Sequence, residues 1–166
     1  MFKKILLAIA VALPMSAMAQ KFGVVDIEAV FTAMPETTAM QTQLQETSKK
    51  YEDEFMKLQE EVNKLYADFQ TIQEDANTPA SIKERRLQEV QDRYAKVQQF
   101  RETAQQDLAK LEQQLSTPIQ QKLTDAIKAV GAEGGYTFIM PNEGLLLYTG
   151  SDVTDVTPLV RTKLGL

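Results

Sequence analysis

A chain of 166 residues without one histidine or cysteine lacks the side chains from which most nucleophile–base pairs and transition-metal sites are built. Three kinds of chemistry remain to be tested: paired carboxylates, glycine-rich phosphate cradles and basic patches. Paired acids can hydrolyse a glycosidic bond when they converge in a pocket. Here nearly all Asp and Glu fall on helical surface positions between apolar seams, where solvation of a charged face accounts for them. Gly131, Gly134 and Gly135 lack the spacing and the Lys-Ser/Thr ending of a phosphate loop. A basic island stands at Lys83, Arg85, Arg86, Arg93, Lys96 and Arg101, facing in sequence the acidic stretch from Glu52 to Asp75. Charge pairing along solvated helices explains it, with a ligand site as the alternative. The sequence therefore predicts no catalytic residue, no cofactor and no metal ligand set, and the chain is not expected to be an enzyme.

The positions of these charges depend on the segments that carry them. Lys3 and Lys4 precede an apolar run from Ile5 to Leu13, and Ala17-Met18-Ala19 offers the small residues read by a signal peptidase. The run is short of the roughly 20 residues that span a bilayer. Residues 1–19 thus read as a signal peptide cleaved after Ala19, which implies an exported protein with no stable membrane insertion. Without cysteine there is no lipid attachment at that site and no disulfide framework. The expected mature chain carries 16 basic against 23 acidic residues, a net charge of −7. Such a balance disfavours nucleic acid, whose phosphates need a basic stripe.

Three regions follow. The segment KFGVVDIEAVF at 21–31 reads as a strand running into a short turn or helix, with a polar break at Asp26. From Glu36 to Leu115 there is no glycine, and the one proline is Pro79 within the polar stretch Glu74 to Ser81. That predicts two long helices with a turn near 76–81. Gly134-Gly135 ends the helical pattern, after which YTFIM and LLLY flank Pro141-Asn142-Glu143-Gly144 and predict a β-hairpin with a four-residue loop. In the tail, Asp155 or Thr154 is the expected N-cap of a short last helix with Pro158 in or near its first turn.

The strongest pattern lies in the middle. Leu44, Tyr51, Phe55, Leu58, Val62, Leu65, Phe69 and Ile72 form a heptad seam if Phe55 is position a, with Ser48 a small polar residue in it. The second arm gives Leu87, Val90, Tyr94, Val97, Ala104, Leu108, Leu111 and Leu115, interrupted by Arg101. Folding back near Pro79 sets each a residue against a d residue, from Ile72 opposite Leu87 to Leu44 opposite Leu115, with Phe55 meeting Ala104. A parallel coiled coil between chains is the alternative. The predicted fold class is α+β: a long antiparallel coiled-coil helical hairpin, 36–115, projecting from a small β-rich oligomerisation body, 20–35 and 116–166. Pro118 would help to mark where arm meets body. The strands at 21–31 and 136–148 are too few for a sizeable core, so they are expected to be shared between subunits.

The order of signal segment, KFGVVDIEAVF, long hairpin, GGYTFIMPNEGLLLYTG and DVTDVTPLVRTKLGL resembles the Skp (OmpH-like) family of periplasmic chaperones over the whole mature chain. Its more specific parts are Val24-Val25-Asp26, Leu147-Tyr148, and Asp152 and Thr154 ahead of Leu164-Gly165. The resemblance implies a homotrimer with a β-barrel-like body and helical arms around a cavity, an ATP-independent holdase for unfolded outer-membrane proteins. The best-known members are strongly basic, whereas this chain is acidic, so no lipopolysaccharide-binding residues are carried over. A structural scaffold or spacer of the cell envelope is the alternative function.

Overall fold

The computed structural model describes residues 20–142 and 146–166. The expected signal peptide, and residues 143–145 of the expected hairpin, lie outside them. The elements are β1 (Lys21–Val25), α1 (Ile27–Ala33), α2 (Pro35–Glu74), α3 (Ala80–Gly134), β2 (Tyr136–Pro141), β3 (Val153–Asp155) and α4 (Thr157–Leu164). The chain divides into two compact units, one made of residues through Val30 together with Leu123–Leu166, the other Phe31–Lys122.

In the first unit the three strands form a sheet of order β2-β1-β3 in which both pairings are parallel. The Phe and adjacent valines of KFGVV fit a central strand, and Val24 and Val25 are buried. Phe22 lies opposite Phe138 on one side and Val153 on the other. At the end of β2, Pro141 has no N–H to give. Asn142 supplies the next bond instead, donating to the Val25 carbonyl at 2.9 Å. Gly23 is required by close packing, since a Cβ there would stand 3.0 Å from Ile139 Cγ1 and 3.3 Å from Val156 Cγ1.

Asp26 breaks the strand because its carboxylate caps α1, accepting from the Ala29 N–H at 2.7 Å. Its own N–H donates to Thr157 Oγ1 at 2.9 Å, which ties the start of α4 to the end of β1. Val30, Val156 and Val160 are fully buried, and Leu123, Ala126 and Val130 of α3 are buried in the same unit. Gly135, at φ 64°, takes the left-handed conformation that lets the chain leave α3.

Two expectations need correction here. Among the described residues there is no β-hairpin: Leu146, Leu147 and Tyr148 are not in a strand, and Leu147 and Tyr148 are exposed. The third strand is Val153–Asp155, and parallel partners cannot be joined by a tight turn, so β2 and β3 flank β1 instead. The residue before α4 is Val156, which has no side-chain cap; Asp155 Oδ1 still accepts from the Thr157 N–H at 2.9 Å. Pro118 stands inside α3, which runs through it to Gly134, and the division between the two units falls close by, after Lys122. Proline removes one helical donor there, and Thr117 Oγ1 and Ser116 Oγ both donate to the Gln113 carbonyl at that turn.

In the second unit α2 spans 40 residues and ends at Asp75, and α3 begins at Ala80. Pro35 starts α2 where a missing N–H costs nothing. Buried Thr37 holds that start, its hydroxyl donating to the Phe31 carbonyl at 2.6 Å. The connection between α2 and α3 is stiffened by Asp75, whose carboxylate accepts from the Asn77 N–H at 2.9 Å and the Thr78 hydroxyl at 2.7 Å.

Candidate functional site

The most organised surface is the length over which α2 and α3 meet within the second unit. On α2, Leu44, Tyr51, Phe55, Leu58, Val62, Leu65 and Ile72 are half-buried and Phe69 is buried, whereas most positions between them are exposed. Burial with a heptad period on a helix this polar needs an apolar partner, because isolated helices are marginal in water. Contacts to α3 run in opposite senses along the two helices. Glu36 pairs with Lys122, and Tyr51 Oη donates to Asp107 Oδ2 at 3.0 Å. Further along, Glu61 pairs with Arg93 at 3.5 Å and Lys83 Nζ donates to the Gln73 carbonyl at 2.9 Å.

The α3 side is less regular. Val97 and Ala104 are buried, and Val90, Leu108, Leu111 and Leu115 half-buried, but Leu87 and Tyr94 are 41% and 59% exposed. Arg101 is exposed as well. Toward the α2–α3 connection the covered positions of α3 are Lys83, Arg86, Glu89, Val90, Val97, Gln98, Phe100 and Ala104. These favour heptad positions d and g, so the seam has turned away from a and carried Leu87, Tyr94 and Arg101 outward. Phe100 is the contact that periodicity passed over: its ring meets Tyr51 edge-on at 6.0 Å between centroids. A cavity of about 340 Å³ lies beside it, lined by Ser48, Tyr51, Phe55, Phe100, Arg101 and Ala104 among others. The gap follows from the two small residues, Ser48 and Ala104, in the layers on either side of Tyr51.

Ile119, Leu123, Ala126 and Val130 were also missed. Their spacing continues the stripe beyond Leu115, and they are buried; taking Pro118 as a boundary hid them. Within the second unit a groove of about 370 Å³ lies among Ala39, Met40, Gln43, Leu115, Pro118 and Ile119, with the Glu36–Lys122 pair at its edge.

Of the basic island, Arg85 and Arg86 pair with Glu89 along α3, Arg93 pairs with Glu61 on α2, and Lys96 and Arg101 make no ion pair among the described residues. Arg86 Nε is buried without a hydrogen-bond partner. Hydrogen bonding from Lys122 holds the Glu36 carboxyl below the usual carboxylate range, and the Asn77 N–H does the same for Asp75. The bond to Asp107 pushes the Tyr51 phenol up. Among the described residues no cluster of three or more acidic side chains could hold a metal ion. Likewise no described helix is long and apolar enough to cross a membrane.

Two long helices with a shared apolar stripe, and a small parallel sheet, define an α+β protein. The chain matches the family described as Outer membrane protein (OmpH-like) over residues 21–164 and belongs to it. Among curated proteins none matches the chain.

Proposed function

We propose that this protein is a periplasmic, ATP-independent holdase that takes up unfolded outer-membrane proteins between helical arms and keeps them from aggregating. Membership of the OmpH-like family is the observation that carries this reading. The physical character of the helices supports it. Between Glu36 and Leu115 there are 11 basic and 16 acidic residues, so the helices are heavily solvated, yet Met56, Tyr66, Leu87 and Tyr94 remain exposed among the charges. Scattered apolar contacts on a charged surface bind many sequences weakly. Several arms acting together turn that weakness into useful affinity through effective concentration.

The arm in this reading is an antiparallel coiled-coil hairpin, residues 36–115, on a β-rich oligomerisation body formed by 20–35 and 116–166, in a homotrimer. The opposed order of contacts between α2 and α3 supports the hairpin. The body is supported by the outer edges of β2 and β3, which pair with no further strand among the described residues, and by exposed Phe138, Leu147 and Tyr148, since open edges and exposed apolar side chains invite another chain. Residues 1–19 are a signal peptide removed after Ala19, and the holdase uses no nucleotide and no metal. The test is to dilute an unfolded outer-membrane β-barrel into buffer with the mature protein and no ATP while following light scattering and sedimentation. Suppressed scattering by an oligomer supports the proposal. An oligomer that never suppresses scattering would favour an envelope scaffold instead.

A further inference from the structure

The turn of the seam along α3 has exposed a line of side chains that a regular coiled coil would have covered. Leu87, Tyr94 and Arg101 recur every seven residues, so they lie along one line of the helix, and Leu108 continues that line into the cavity beside Tyr51 and Phe100. By heptad position Tyr66 of α2, 49% exposed, borders the same flank, because Glu61 and Arg93 occupy the opposite one. From Leu87 to Leu108 the line is about 30 Å long at 1.5 Å per residue. A transmembrane β-strand has about 9 to 11 residues and rises about 3.3 Å per residue, so one strand in extended form covers the same length. Arg101, without an ion pair among the described residues, is the one cation in the lining of the cavity, where Glu52 is the one carboxylate.

Resting on the holdase reading, we infer that this flank is the surface on which an arm holds one extended, strand-length segment of an unfolded β-barrel. Apolar side chains on one face of the segment lie along Leu87, Tyr94 and Tyr66. One aromatic side chain of the segment enters the cavity beside Tyr51 and Phe100, where the volume of about 340 Å³ accommodates a ring and an edge-to-face neighbour favours it. Arg101 takes a carboxylate of the segment at the mouth. Alternation suits the site because a strand presents every second side chain to one face.

The probe is a soluble ten-residue peptide alternating leucine or tyrosine with threonine and carrying one glutamate, titrated into the full mature protein by fluorescence anisotropy. Leu87→Ser with Tyr94→Ser is expected to weaken binding fivefold or more with no change in the melting curve, both side chains being exposed. Tyr94→Ser alone serves if the double variant fails to fold. Ile82→Ser, exposed at another heptad position, is expected to leave affinity unchanged. Arg101→Glu should weaken the glutamate peptide and spare its glutamine counterpart. Equal affinity of wild type and the Tyr94 variants, an equal loss on Ile82→Ser, or no peptide binding at all would overturn the inference. Light scattering with a whole unfolded β-barrel, run on the same proteins, separates the two claims. Protection that survives Leu87→Ser with Tyr94→Ser removes this surface but keeps the holdase, whereas wild type that fails to protect removes both.

Discussion

Phe69 is the one aromatic of α2 that is buried, at 8% exposure, while its ring neighbour Tyr66 stands 6.5 Å away and is 49% exposed. Truncating a buried phenylalanine to alanine costs about 3 to 5 kcal/mol through lost transfer energy and the cavity left behind. A two-helix seam has solvent close on both sides and can partly collapse, which puts Phe69→Ala at the lower end, about 3 kcal/mol. With tenfold in equilibrium per 1.4 kcal/mol, opening of the surrounding turns should increase by about 100-fold. Hydrogen exchange should show this as faster exchange of the amides in residues 62–97, with Lys21–Val25 of the other unit unaffected, because local openings follow cooperative units. Tyr66→Ala is the control and should change exchange by less than about tenfold, as truncation of a half-exposed side chain costs little. If Phe69→Ala perturbed exchange no more than Tyr66→Ala, packing along the α2–α3 seam would not be what holds these helices.

Pro118→Ala should restore a helical donor inside α3 and raise the thermal midpoint, by up to about 3 kcal/mol equivalent, as followed by circular dichroism. Arg86→Met should stabilise by about 1 kcal/mol because it removes a buried guanidinium nitrogen without a partner; denaturant titration reads this. Gly135→Ala forces a side chain into the left-handed region and should cost about 1 to 2 kcal/mol, measured the same way. Glu36 and Asp75 are both held below the ordinary carboxylate range, so their contribution to folding is present at neutral pH. It should fade as pH falls through about 4 and below. Glu36→Gln with Asp75→Asn should flatten that acid limb in a melting series. Replacing Gln45 to Gln114 with a short flexible linker should leave an oligomer in sedimentation, and a monomer would refute the assignment of subunit contacts to the sheet unit.

Much of the helical architecture was legible in the residues. A glycine-free stretch with Pro79 in a polar gap is enough to specify two long helices, and the α2 stripe follows its heptads closely because Leu, Phe and Val there have no other surface to bury. The second helix was less legible. Positions a and d are identical in composition terms to d and g when long Lys, Arg and Gln stems can cover the seam, so Leu87 and Tyr94 could not be told from covered residues. Pro118 gave no sign that the buried stripe continues through it, because a proline more often ends or kinks a helix than sits within one. The β region failed for a different reason. LLLY has a stronger strand composition than VTD, yet parallel pairing with β1 is decided by which backbone edge is free, a tertiary property that side-chain pattern does not carry. Asp26 illustrates the opposite case, since a single polar residue after Val24-Val25 marked both a strand end and a helix cap. The groove beside Pro118 and the cavity beside Phe100 depend on small residues in particular layers, which only a known register reveals.

The proposed holdase makes its most direct claim about unfolded clients in the absence of nucleotide. The measurement is light scattering from an unfolded outer-membrane β-barrel diluted into the mature protein, without ATP, over a series of ionic strengths. With a net charge of −7 on the chain expected after cleavage, salt should screen repulsion among arms and acidic clients within a Debye length of about 10 Å at 0.1 M. Scattering should be suppressed at low salt, with protection retained or slightly improved at high salt. Absence of protection at both ends of the series would contradict the holdase reading.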